Sequence, residues 1–239
     1  DIKNPAQKVE VIDISKEFYD TNVSLETFKA KYPWFQGTIP DEDFALRRTE
    51  IEEAKIYKEA IAKIDIAKLN RELTDLFSHI KYYFPEFVEP KVFIYSSALQ
   101  GILEPIFYKP KENLLFIDVT GFMGENNPNY KGLEQYFQTS MNPKNIVPKT
   151  SEVLAENFVQ PNLEQQKFID ELIYNGKIST LQDAFLPDFP NDLKMNYTQK
   201  QYDWAKENEV NIWNYFVENN LIFSDDSRLS ERFINPAPF

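Results

Sequence analysis

The chain has 239 residues and a formal net charge of −12, from 26 Lys plus Arg against 38 Asp plus Glu. That balance argues against nucleic acid and against acidic membrane surfaces, because phosphate neutralisation needs a clustered basic face, and the densest basic spots, Arg47-Arg48 and Lys109-Pro110-Lys111, are short. There is no cysteine and one histidine, His79, which rules out disulfides, iron-sulfur clusters, thiolate zinc, a Cys nucleophile and the two-His zinc helix.

With 42% hydrophobic residues, including 20 Phe, 13 Tyr and 3 Trp, the chain can bury a large core. No apolar run approaches the roughly 18 residues that a membrane span needs. The sequence opens at Asp1 without Met and closes on Asn235-Pro236-Ala237-Pro238-Phe239, which reads as a processed or trimmed piece.

Val9 to Ile14 largely alternates apolar and acidic residues, the pattern of a half-buried strand. Ser24 is placed to cap a short helix over residues 25–31, which the Tyr32-Pro33-Trp34-Phe35 turn ends. From Asp43 to Tyr83 apolar positions recur at three and four, with a weak stretch at Lys63 to Ala67 that predicts two helices. Strands are expected at Lys91 to Ser96, Ile106 to Tyr108 and Asn113 to Thr120, the last inside a small sheet.

Gly121, Gly124, Pro128 and Gly132 mark a long loop, after which only helices are expected: Val147 to Gln160, Asn162 to Asn175, Thr180 to Phe185 and Thr198 to Asn219. Asn162 with Gln165, and Thr198 with Gln201, have capping-box spacing. The expectation is one mainly helical α+β domain over residues 1–239, sheet-containing to about 132 and helical from about 133.

Few constellations point to chemistry. Asp118-Val119-Thr120-Gly121 lies at a strand end, where an Asp most simply caps loop backbone. Asp188, Asn191, Asp192 and Asp225-Asp226 lack the ordered spacing of a calcium loop and read as solvated carboxylates. His79, near a helix C-terminus, reads as structural, and Trp204 with Trp213 reads as core packing.

Five strings carry a likeness: Tyr32-Pro33-Trp34-Phe35, His79-Ile80-Lys81-Tyr82-Tyr83-Phe84-Pro85, Leu172-Ile173-Tyr174-Asn175-Gly176-Lys177, Asp183-Ala184-Phe185-Leu186-Pro187-Asp188, and Arg232-Phe233 through Phe239. Together they resemble the gliding motility-associated lipoprotein GldB family of Bacteroidota. The resemblance implies a lipid-anchored, periplasm-facing envelope protein that partners other gliding and type IX secretion proteins, with no catalytic residue, metal or cofactor. It also implies a degenerate zincin-like metallopeptidase scaffold. In that register Ser151 and Ala155 stand where zinc histidines would be, Glu152 matches the catalytic Glu, and Asn175-Gly176 replaces the third-ligand Glu-Gly pair.

Tyr174, Asn175, Lys177, Asp183, Asp188 and Glu152 are therefore the candidate binding residues. Asn175-Gly176 also reads as a helix C-cap, and the two roles can coexist. Three functions stay open: a non-catalytic envelope component, a glycan- or peptide-binding module, and a carboxylate-dependent hydrolase.

Overall fold

The computed structural model describes residues 5–161 and 167–234. The proposed Asn162/Gln165 cap and the closing Pro-Ala-Pro-Phe segment lie outside them.

A four-stranded sheet organises the first half: β1 (Ile12–Asp13), β2 (Lys91–Tyr95), β3 (Ile106–Lys109) and β4 (Leu114–Asp118), in the spatial order β1-β2-β4-β3. β1, β2 and β4 run parallel, with Phe93 beside Phe116, and β3 returns antiparallel on β4. The period of two divides the side chains between two layers. Val92, Ile94, Leu115 and Ile117 enter the larger core with the long helices, whereas Phe93 and Phe116 enter a second, aromatic core with Phe18, Phe28, Phe44 and Trp34.

Helices α1 (Ile14–Phe18), α2 (Leu25–Lys31) and α3 (Asp41–Arg47) cover the aromatic face. Ser24 caps α2 as expected, its hydroxyl accepting from Thr27 N at 3.1 Å. Arg48 fastens the loop between α1 and α2, its guanidinium donating to the carbonyls of Phe18, Asp20 and Val23. α4 (Ile51–Ala62) and α5 (Ile66–Tyr83) separate at the weak stretch read from the sequence, where Asp65 caps α5. An additional break at residues 48–50 divides α3 from α4.

The strand expected over Val9 to Ile14 is shorter than its pattern suggests. Only Ile12 and Asp13 pair with β2. The upstream backbone N–H groups of Ala6, Val9 and Val11 donate instead to the side chains of Ser78, Thr74 and Asn70 on α5. Those acceptors stand four residues apart on one helical face, so residues 6–11 form a strap laid antiparallel along α5.

The last predicted strand ends at Asp118, and Val119–Phe122 turns into a 3-10 helix. After it come α6 (Gln135–Thr139), α7 (Ile146–Ala155), α8 (Phe168–Phe185), α9 (Asn191–Lys194), α10 (Gln199–Glu207), α11 (Glu209–Glu218) and α12 (Arg228–Phe233). No strand follows residue 118 among the described residues. The expected Thr198–Asn219 helix divides at Asn208, and Thr198 forms the anticipated capping box with Gln201. Trp204 and Trp213 correct the core-packing expectation, being 59% and 43% exposed. The burial at this end is supplied by Phe168, Phe216 and Leu229.

Candidate functional site

Two regions concentrate polar groups. The first is the carboxyl edge of the parallel strands, where Asp118 is fully buried. Its carboxylate accepts from Ser97 N at 3.1 Å, Thr120 N at 3.0 Å, Thr120 Oγ1 at 2.7 Å and the Ser97 hydroxyl. Burial pushes its pKa up, and these donors pull it back.

The loop beyond Ser97 is held in a costly shape, with Ala98 at φ 53° and Leu99 at φ 73°. Leu99 N donates to Thr120 Oγ1 at 3.4 Å and Gly101 N to Ser97 Oγ at 2.8 Å. Gly121 is required for a different reason, since a Cβ there would come within 2.6 Å of the Pro105 ring. Behind this edge Tyr57 donates to Asp13 at 2.7 Å, and Arg47 grips Glu53 at 3.1 Å. Asp118 thus caps loop backbone, as its sequence position suggested, and its four acceptances are all intramolecular.

The second region is the pairing of α7 with α8. Ser151 and Ala155 point into the interior, Ala155 as part of the main core. Ser151 Oγ donates to Pro148 O at 2.7 Å and accepts from Gln182 Nε2 at 3.2 Å, and Gln182 also reaches Lys194 O at 3.4 Å. The residue opposite Ser151 is therefore Gln182, two turns along α8 from Asn175.

α8 runs unbroken through Asn175-Gly176, which corrects the C-cap reading and the expectation of separate helices ending at Asn175 and starting at Thr180. The buried face of Phe168, Ile178, Gln182 and Phe185 continues past the pair, and that burial outweighs the roughly 1 kcal/mol that a mid-helix Gly costs. Asn175 turns its amide back to Glu171 O at 2.9 Å, and the space around Gly176 is open.

Of the six candidates, Glu152 and Tyr174 are brought into one electrostatic neighbourhood, through a residue that the sequence reading missed. Glu152 is open to solvent yet closely surrounded, so desolvation and the neighbouring Glu156 push its pKa up, with Lys149 opposing. The Tyr174 phenol is raised by burial and then by Glu156 and Glu171. The signal for Glu156 was present in its spacing, one turn from Glu152 on the same helical face. Glu152, Glu156, Lys149 and Tyr174 offer hydrogen bonds of both senses to a polar ligand.

The remaining candidates are dispersed. Lys177 is exposed. Asp183 pairs with the buried Lys194 at 2.5 Å. Asp188 stands on a separate cleft of about 610 Å³ that it shares with His79. Asp226, among the loop carboxylates weighed for calcium, is engaged by Arg228 at 2.7 Å. Among the described residues no three His, Asp or Glu side chains group so as to hold a metal ion, and no helix is long and apolar enough to cross a membrane.

Over residues 1–239 the chain matches the family model described as gliding motility protein GldB, and it belongs to that family. No curated protein and no solved structure matches it.

Proposed function

We propose, from this membership of the GldB family, that the protein is a non-catalytic, lipid-anchored and periplasm-facing envelope component that serves gliding and the linked type IX secretion machinery by contacting other proteins. The observation that carries the non-catalytic part is the fate of Ser151 and Ala155. Where a zincin-like ancestor would present zinc ligands, Ser151 is tied to Pro148 and Gln182 and Ala155 is core. Those positions now hold α7 against α8. On this reading the exposed Glu152 and Glu156 carry no chemistry.

The test replaces Glu152 and Glu156 together by Gln in the full-length lipoprotein, in cells. Gliding and secretion at wild-type levels, with wild-type abundance, are expected. Loss of both activities with unchanged melting temperature and unchanged co-purifying partners would instead show carboxylate chemistry, and the non-catalytic reading would fail.

A further inference from the structure

The strap along α5 fixes where the N-terminal end of the chain leaves the fold. Ala6 N donates to Ser78 at 2.8 Å, Val9 N to Thr74 at 2.9 Å and Val11 N to Asn70 at 3.0 Å. Asn70, Thr74 and Ser78 stand four residues apart, and the next residue of that row is Tyr82. A further bond, from Gln7 N to Glu89 Oε1 at 3.3 Å, holds the same end against the segment that follows α5. Followed upstream, the strap thus heads for the last turn of α5, where Tyr82 lies about 6 Å past Ser78 at 1.5 Å per residue.

That turn carries apolar surface that the cores do not use. Tyr82 is 61% exposed, Tyr83 53% and Val88 65%. The two rings rest on each other in a T-shaped pair with centroids 5.1 Å apart, so they form one patch. Pro85 ends the helix within this run, and Phe87, buried against Phe77, pins the segment to the core.

Charge separates this patch from the other aromatic surface. In a chain of net charge −12, Lys81 and Lys91 balance Glu86 and Glu89 around it, and Lys81 pairs with Glu89 at 2.8 Å. α10 and α11, which expose Trp204, Val210 and Trp213, carry four acids against two lysines. Of the two surfaces, the first is the electrically neutral one. They also lie apart. Trp213 meets Phe216, which packs on Phe168 at the start of α8, whereas Phe84, next to Tyr83, meets Phe185 at the other end of that helix, about 25 Å away.

Tyrosine suits a boundary between oil and water, because its ring is apolar and its hydroxyl stays wet, and it is enriched at the headgroup level of bilayers. We propose that Tyr82, Tyr83 and Val88 are the surface on which the protein rests against a zwitterionic lipid bilayer. The proposal rests on the lipid-anchored reading above, which puts the lipid upstream of the strap, and adds to it the face that turns toward the membrane. Lipid attachment alone leaves a domain free to rotate about it, and a second contact beside the attachment fixes which face looks down.

The chain has no cysteine, so single Glu86→Cys and Val210→Cys variants each take an environment-sensitive NBD fluorophore at one exposed site. Each labelled full chain is held on vesicles of phosphatidylcholine and phosphatidylethanolamine through an N-terminal hexahistidine tag and a nickel-chelating lipid. Emission from residue 86 should shift to the blue and rise at least about twofold on loading, as the label leaves water for the headgroup layer, while emission from residue 210 stays unchanged. Adding Tyr82→Ser/Tyr83→Ser should abolish the rise; both side chains are exposed, so the fold is kept, and a melting curve verifies it. No rise at residue 86, an equal rise at residue 210, or a rise that survives the serine exchange would each overturn the proposal. Incorporation of labelled palmitate into the full-length protein in cells reads the anchor separately. A protein that takes up no palmitate fails the anchor reading and this proposal with it, whereas a palmitate-labelled protein with no rise at residue 86 fails this proposal alone.

Discussion

Tyr130→Phe tests how the loop after β4 is held. Tyr130 is fully buried, and its hydroxyl donates to Thr120 O at 2.6 Å while accepting from Met123 N at 2.8 Å. Burial raises the phenol pKa to about 12, so it remains a donor at neutral pH. Phe fills the same ring volume and strands one buried carbonyl and one buried N–H. At about 1–3 kcal/mol for each unsatisfied group the loss is about 2–6 kcal/mol, and at about 2–4 °C per kcal/mol for a chain of this size the midpoint should fall by at least about 4 °C. Tyr108→Phe is the control, because Tyr108 is half-buried and donates to Asn113 Oδ1 at 2.9 Å; its cost should stay near about 1 kcal/mol. Urea and thermal unfolding of both variants provide the comparison. If Tyr130→Phe falls within about 0.5 kcal/mol of wild type, the size of an ordinary surface change, the hydroxyl does not brace the loop and the accounting is wrong.

Three further outcomes are expected. Asp183→Ala should cost about 1–2 kcal/mol, less than a wholly buried pair because Asp183 is largely solvated while Lys194 is 7% exposed; Asp183→Ala/Lys194→Met should regain most of it in urea titrations, and failure to do so would mean that the pair is not what Asp183 serves. The raised carboxyl of Asp118 makes its contribution to stability greatest below its unfolded pKa and progressively lost as pH rises through the higher folded value. Asp118→Asn should therefore cost less at pH 7 than at pH 4, and denaturant midpoints showing a cost that grows with pH would contradict the sign. Ala98→Gly should stabilise by about 0.5–1 kcal/mol, the relief of a left-handed residue less the added freedom of the unfolded chain, and a lower melting temperature would show that no strain is stored at Ala98.

Local signals were legible wherever one segment settles its own structure. The cap at Ser24, the break before Asp65, the β-branched and aromatic runs of β2 and β4, and the strand-end role of Asp118 are of that kind. The mistakes arose where distant groups decide. Val9 and Val11 have a strand pattern, but Thr74 and Asn70 take their N–H groups before a neighbouring strand can. Asn175-Gly176 reads as a stop, yet the apolar face beyond it keeps α8 going. Trp204 and Trp213 read as core because an aromatic ring says nothing of which side of α10 or α11 meets the protein. Tyr174, Asn175, Lys177 and Asp183 lie close in sequence, but α8 projects them in several directions, so of these only Tyr174 comes to share an environment with Glu152 on α7. The cleft along α5 was invisible because three separate segments wall it.

The strap along α5 gives the fold a mechanical grain. Ala6, Val9 and Val11 are fastened at successive turns by Ser78, Thr74 and Asn70. Traction applied ahead of Ala6 along the helix axis loads these three bonds together, while traction perpendicular to it opens them singly, beginning at Ser78. The same protein is thus stiff to a tether pulled in one direction and yielding to one lifted in another, and the first part to come free is the strap, with β1 and the two cores behind it still closed.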